Sequence, residues 1–246
     1  MARRKRKNRN SKFIIFLTLL ILALYLRYGE YVRNSLAFDI KRILKIEKSY
    51  NLGEIPEYSG KAYVIINNNV PFFDDLAHTD KSFEVYSNLD RLGRCGAAYA
   101  NIGVDLMPTN PRERIGSIKP SGWHTVKYSI ITDGKYLYNR CHLIAYQLTA
   151  ENANPKNLIT CTRYANTVGM IDFENMVANY IKRTKNHVLY RVTPIFKGSN
   201  LVASGIEMEA LSIEDNGRGI KFNVYVYNVQ PGISINYKNG RSKLND

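Results

Sequence analysis

Four polar residues stand at definite intervals along this chain: His142, then Asn157 fifteen positions later, Asn166 nine beyond it and Glu174 eight beyond that. An imidazole titrating near 6.5 can take a proton from water close to neutral pH. A neutral amide oxygen can ligate a divalent cation without cancelling its charge, and a carboxylate can hold that cation's waters. Together these groups suit hydrolysis of a phosphodiester, which needs a deprotonated water, charge neutralisation on the phosphate oxygens and help for the departing 3′ oxygen. His142 would supply the first, with activity rising as it deprotonates between pH 5 and 8. One Mg²⁺, with Mn²⁺ as the alternative ion, would supply the other two from Asn166, with Glu174 holding its waters.

Each residue also has an ordinary explanation. A histidine after a strand is commonly a surface or core residue, Glu174 is a favourable acid in a helix's first turn, and Asn166 could be a turn residue before Gly169. His124 beside Trp123 reads as structural, and His78 and His187 read as solvent-facing. What lifts the four above these readings is their order. Asn139-Arg140-Cys141-His142 resembles a variant of the DRGH motif of the DNA/RNA non-specific endonucleases, a ββα-metal family. Asn157 in KNLIT, Asn166 in TRYANT and Glu174 in FENM match the same family's spacing. With GWH at 122–124 and YANIG at 99–103, residues 60 to 235 are most similar to streptococcal-type DNA-entry nucleases and secreted DNases.

The resemblance implies a ββα-metal nuclease fold and DNA as substrate, with RNA as the other substrate it allows. It implies His142 as base, Asn166 as metal ligand, Glu174 as outer-shell acid, Asn157 orienting His142 or the phosphate, and a basic residue gripping the scissile phosphate, for which Arg112, Arg114 and Arg140 are unranked candidates. Two positions depart from DRGH: Asn139 removes an acid, and Cys141 adds a side chain where the motif has bare backbone. A cysteine nucleophile is disfavoured, because Cys141 and His142, adjacent in a strand, point to opposite faces.

Around these residues the chain reads as an α+β domain with a central antiparallel sheet. Lys61–Asn67 reads as a buried strand, Asp80–Leu89 as a short helix, and residues 91–116, rich in Gly and Pro, as a loop with strand pieces. Strand signals at Trp123–Ile131 and Lys135–Tyr138 flank an Asp133-Gly134 turn. One or two helical turns follow at Leu143–Thr149, then a strand at Leu158–Thr162. Asp172–Thr184 is the clearest helix, with Asp172 as cap and Phe173, Met176, Val177, Tyr180 and Ile181 at helical spacing. Strands at His187–Phe196, Leu201–Ile213 and Lys221–Val229 close the domain. Cys95, Cys141 and Cys161 form no metal-binding pattern. One bridge with a spare thiol is open to them, but small buried hydrophobes is the preferred reading.

The net charge of +14 is uneven. Seven basic residues fall in the first twelve, leaving 28 basic against 21 acidic groups from residue 13 onward. That surplus still favours a polyanionic partner. Phe13–Leu26 is fourteen uncharged residues, about 21 Å of helix against a hydrocarbon core of about 30 Å. Lys12 and Arg27 can snorkel, and Tyr25 and Tyr28 suit an interface. No small-x-small cleavage site follows, so an uncleaved anchor is preferred to secretion after cleavage. The expected layout is a basic cytoplasmic tail at 1–12, a transmembrane signal anchor at 13–28, an amphipathic stalk at 29–51 and a nuclease domain at 52–246 outside the membrane. A surface nuclease for DNA uptake or extracellular DNA degradation is the leading reading; an inert surface DNA receptor on the same scaffold is the alternative.

Overall fold

Strands whose side chains alternate between two coverings build the centre of the molecule. The computed structural model describes residues 55–73, 79, 81–132 and 134–245. The tail, anchor and stalk expected over residues 1–51, and His78, lie outside these residues. Among the described residues no helix is long and apolar enough to cross a membrane.

Six strands form one antiparallel sheet: β1 (Tyr63–Ile65), β2 (Phe83–Tyr86), β3 (Ala98–Ile102), β6 (Val188–Ile195), β7 (Gly205–Ser212) and β8 (Lys221–Tyr227), in the spatial order β1-β8-β7-β6-β3-β2. In β7, Ile206, Met208 and Ala210 enter the main apolar core, while Glu207 and Glu209 face the opposite side. On that opposite side Arg191 Nε donates to Glu209 Oε2 at 2.6 Å, and Phe72 and Asn223 bond to the same pair. The buried charges of Arg191 and Glu209 survive there because they are paired and hydrogen-bonded.

The apolar face carries a second unit. Strands β4 (Tyr138–His142) and β5 (Leu158–Thr162) form a separate antiparallel pair, and helix α2 (Ile171–Thr184) packs on the sheet beside them. A short helix α1 (Tyr146–Thr149) joins β4 towards β5. Helix α2 buries Phe173, Val177, Tyr180 and Ile181, the stripe its spacing predicts, but Met176 faces solvent. A π-helical segment, Ala165–Met170, runs directly into α2. Asp172 therefore sits in the first turn and is not the cap. A Cβ at Gly169 would collide with Val226, so glycine lets this segment lie on β8.

Several elements differ from expectation. Residues 83–86 are a strand, not a helix, because FEVY pairs with the exposed edge of β3. β3 is one of the strand pieces expected within residues 91–116, and it is fully buried. β1 is an edge strand with Tyr63 and Ile65 exposed, not a buried one. The stretch from Trp123 makes a single bridge, Lys127 to Tyr136, and the regular strand lies later, at 138–142. A final hairpin, β9 (Ile233–Asn236) with β10 (Arg241–Leu244), follows the last expected strand. Cys141 and Cys161 form a disulfide with their Cα atoms 5.8 Å apart, correcting the preference for reduced cysteines. The pairing of Asn139 with Cys161 puts Cys141 diagonally opposite on the same face. Cys95 is the free, buried thiol.

Candidate active site

The β4–β5 pair delivers the motif to a cleft of about 510 Å³. Alternation along β4 turns Tyr138, Arg140 and His142 to the cleft, while Cys141 enters the core. Asn139, Arg112, Arg163, Asn166 and Glu174 complete the polar lining. His142, Asn166 and Glu174, far apart in sequence, thus share one wall.

His142 is almost fully buried. Its Nε2 lies 2.8 Å from the carbonyl oxygen of Asn152, which can only accept, so Nε2 carries the proton. Nδ1 is left with its lone pair, 3.4 Å from the Arg112 guanidinium. Burial pushes the imidazole pKa down to about 4; the Asn152 contact opposes this and the Arg112 charge adds to it. The ring is therefore already neutral across the pH 5 to 8 window in which an ordinary imidazole would titrate.

The side-chain hydrogen bonds of Asn157 go to Ile144 and not to the imidazole. Its Oδ1 accepts from Ile144 N at 2.8 Å and its Nδ2 donates to Ile144 O at 2.9 Å, in a fully buried setting. It fixes the turn after His142, and the orienting group expected of it is instead the Asn152 carbonyl. Arg140 is also committed. Its guanidinium donates to the carbonyls of Ile118 and Gly116 and lies over the Trp123 ring, 4.0 Å from the centroid. Arg114 is exposed and does not line the cleft. Of the three arginines, Arg112 is the one placed beside the imidazole, and its loop is held by a hydrogen bond from Tyr146 Oη to Asn110 O.

Asn166 is half-buried on the π-helical turn, where Thr162 Oγ1 accepts from Ala165 N at 3.0 Å. Glu174 is buried on the first turn of α2, and burial pushes its carboxyl up to about 7 against the pull of Arg112. Among the described residues no three His, Cys, Asp or Glu side chains cluster to hold a metal. The Asn166 amide oxygen and the buried Glu174 carboxylate are the donors that line the cleft where the family places its ion. They fit a hard cation that keeps most of its waters, as Mg²⁺ does, rather than a site closed by protein ligands.

The sequence profile of DNA/RNA non-specific endonucleases matches residues 76–213, which contain this entire cleft wall from Arg112 to Glu174. The chain belongs to the DNA/RNA non-specific endonuclease family. Its fold is similar to that of NucA from Streptococcus agalactiae with magnesium bound, at TM-score 0.68 and 24% identity, over 79% of this chain and 93% of that one. NucA without metal matches at TM-score 0.68 and 25% identity, over 84% and 96%. Sda1 nuclease with bound zinc is 33% identical at TM-score 0.57, over 64% of this chain and 79% of that one.

Several groups of this endonuclease's cleft escaped sequence reasoning. The Asn152 carbonyl has no side-chain signature at all. Tyr136 on the hairpin, Tyr146 on α1 and Arg163 just after β5 are cleft residues only because the fold brings these elements together. His124 and His187 lie apart from it: His124 Nε2 meets Asn239 O at 2.8 Å, and His187 Nδ1 pairs with Glu214 at 2.7 Å. His187 is thus tied down by an acid, where a solvent-facing ring was expected.

Proposed function

We propose that this nuclease is a membrane-anchored, outward-facing, Mg²⁺-dependent endonuclease that hydrolyses phosphodiester bonds of DNA, and of RNA, with little sequence preference. The observation that carries the reading is the state of His142: a neutral ring with its Nε2 proton spent on Asn152 and its Nδ1 lone pair beside a guanidinium at the cleft wall. Nδ1 takes the proton of the attacking water, and the imidazolium so formed keeps its Nε2 hydrogen bond. Arg112 grips the non-bridging phosphate oxygens and draws the phosphate next to that water. Asn166 would hold the Mg²⁺ directly and Glu174 through its waters; bound there, the ion neutralises phosphate charge and assists the departing 3′ oxygen. Arg112 and the Asn166–Glu174 pair address phosphate, which carries no base information, so cutting is weakly selective.

The basic tail, apolar segment and stalk of residues 1–51 support a single-pass anchor with the nuclease outside, and surface placement suits cutting during DNA uptake. A nearby fold that binds magnesium supports the choice of ion. The test is incubation of the intact protein with supercoiled plasmid and with single-stranded RNA, in Mg²⁺ and in EDTA. Cleavage of both in Mg²⁺ and of neither in EDTA is expected; plasmid left intact in Mg²⁺, or cut equally in EDTA, overturns the reading. Recovery of full-length protein in the membrane fraction, with the domain digested by protease added to intact cells, is expected of the anchor.

A further inference from the structure

One wall of the cleft has no part in the hydrolysis just described. Tyr136 lines the same cleft as His142, Arg112 and Asn166, yet its ring is 41% exposed. Lys127 is paired with it across the hairpin and holds its ammonium 4.4 Å from the ring centroid. The hairpin is fixed in place: Tyr128 N donates to Lys135 O at 2.9 Å and Leu137 N to Val126 O at 3.0 Å. Tyr128 Oη bonds Ser242 Oγ at 2.7 Å, and Tyr138 Oη donates to Gly240 O at 2.8 Å, tying the wall to the C-terminal hairpin. An exposed aromatic ring on a rigid support, with a cation against it, is the arrangement that receives an unpaired base while the cation meets the backbone phosphate.

We propose that Tyr136, supported by Lys127, is a stacking platform for the base of a nucleotide next to the scissile phosphate. A base can reach this ring only when it has left its own stack, so single strands and locally opened duplex are the favoured substrates. Stacking tolerates any base, in keeping with weak sequence preference. The inference rests on the nuclease reading for its meaning, but not for its test.

The test uses the intact protein in EDTA, where nothing needs to be cut, and a single-stranded oligonucleotide carrying 2-aminopurine, whose fluorescence is quenched by stacking. Wild type and Tyr136→Phe should quench it on binding; Tyr136→Ala should not, and should bind about tenfold more weakly, as loss of one base–aromatic stack requires. In Mg²⁺, the ratio of kcat/KM for single strands to that for duplex should fall about tenfold in Tyr136→Ala and be kept in Tyr136→Phe. Equal quenching by Tyr136→Ala and wild type would overturn the proposal even if cleavage is confirmed. Quenching without any cleavage in Mg²⁺ would instead overturn the catalytic reading and leave the platform standing.

Discussion

Two regions meet at the cleft, and they are held by different means. The unit that carries His142, Asn166 and Glu174 is pinned from several sides: the Cys141–Cys161 disulfide, the Asn157 clamp on Ile144 and the burial of α2 on the sheet. The loop that carries Arg112 is exposed for most of its length. It hangs on side-chain tethers, from Arg140 to Gly116 and Ile118 and from Tyr146 to Asn110. The proton acceptor is therefore built on packed strands, where a small displacement is expensive, and the phosphate grip on a segment that can adjust to its substrate. The same contrast explains why two of the candidate arginines differ: Arg140 shapes the loop and Arg112 uses it.

Among the variants that contrast the two regions, breaking the loop's working end should have the largest effect. Arg112→Ala is expected to lower kcat/KM by roughly 10²–10³, the usual loss when one donor to a developing negative charge is removed, with Arg112→Lys restoring only part. Steady-state kinetics on plasmid will check it, and a loss below threefold would remove Arg112 from the phosphate. On the packed side, Asn166→Ala should raise the Mg²⁺ concentration for half-maximal rate by roughly 10–100-fold, read from a metal titration. An unchanged titration would take the ion away from Asn166.

Glu174 sharpens the comparison through stability. Its folded pKa of about 7 lies above the ordinary 4.5, so the protein in EDTA loses stability as pH rises through 7. Glu174→Gln should accordingly raise the metal-free stability at pH 8 by up to ~3 kcal/mol, while Mg²⁺ should stabilise wild type more than the variant. Denaturant melts at pH 5 and pH 8 decide this. Replacing Cys141 and Cys161 by serine should cost about 3 kcal/mol of stability for a loop of this length. Tyr146→Phe, which cuts one tether of the Arg112 loop, should have the smallest effect, a few-fold rise in KM with unchanged melting. A larger stability loss in Tyr146→Phe than in the cysteine variant would reverse the contrast between the regions.

Much of the site was legible because its chemistry rests on order and spacing. Leu158–Thr162 and α2 follow from hydrophobic period alone, and they carry Asn166 and Glu174 between them. Other features depend on pairing that only the folded chain supplies. Twenty residues separate Cys141 from Cys161, and nothing in that interval reveals that β4 and β5 align them. Strand β3 is short, alanine-rich and flanked by glycines, so its burial comes from its two neighbours in the sheet rather than from its own period. The ranking of the arginines needed Trp123 and the carbonyls of residues 116 and 118 in place. The pKa of His142 needed its burial.

The central claim is that His142 is the proton acceptor, neutral and aimed by Asn152. It is tested most directly by single-turnover cleavage of saturating plasmid by wild type and His142→Ala across pH 3.5 to 8, with DNA binding measured in EDTA. At saturating Mg²⁺, which keeps Glu174 ionised, wild type should rise through a limb near pH 4 and stay level above about 5.5, because the folded pKa of His142 is depressed and the base form already dominates there. His142→Ala should bind DNA within about threefold of wild type, cut it roughly 10³-fold more slowly on the plateau above pH 5.5, and lack the limb near pH 4. Cleavage by His142→Ala at a wild-type rate, or with the same acid limb, would contradict the assignment.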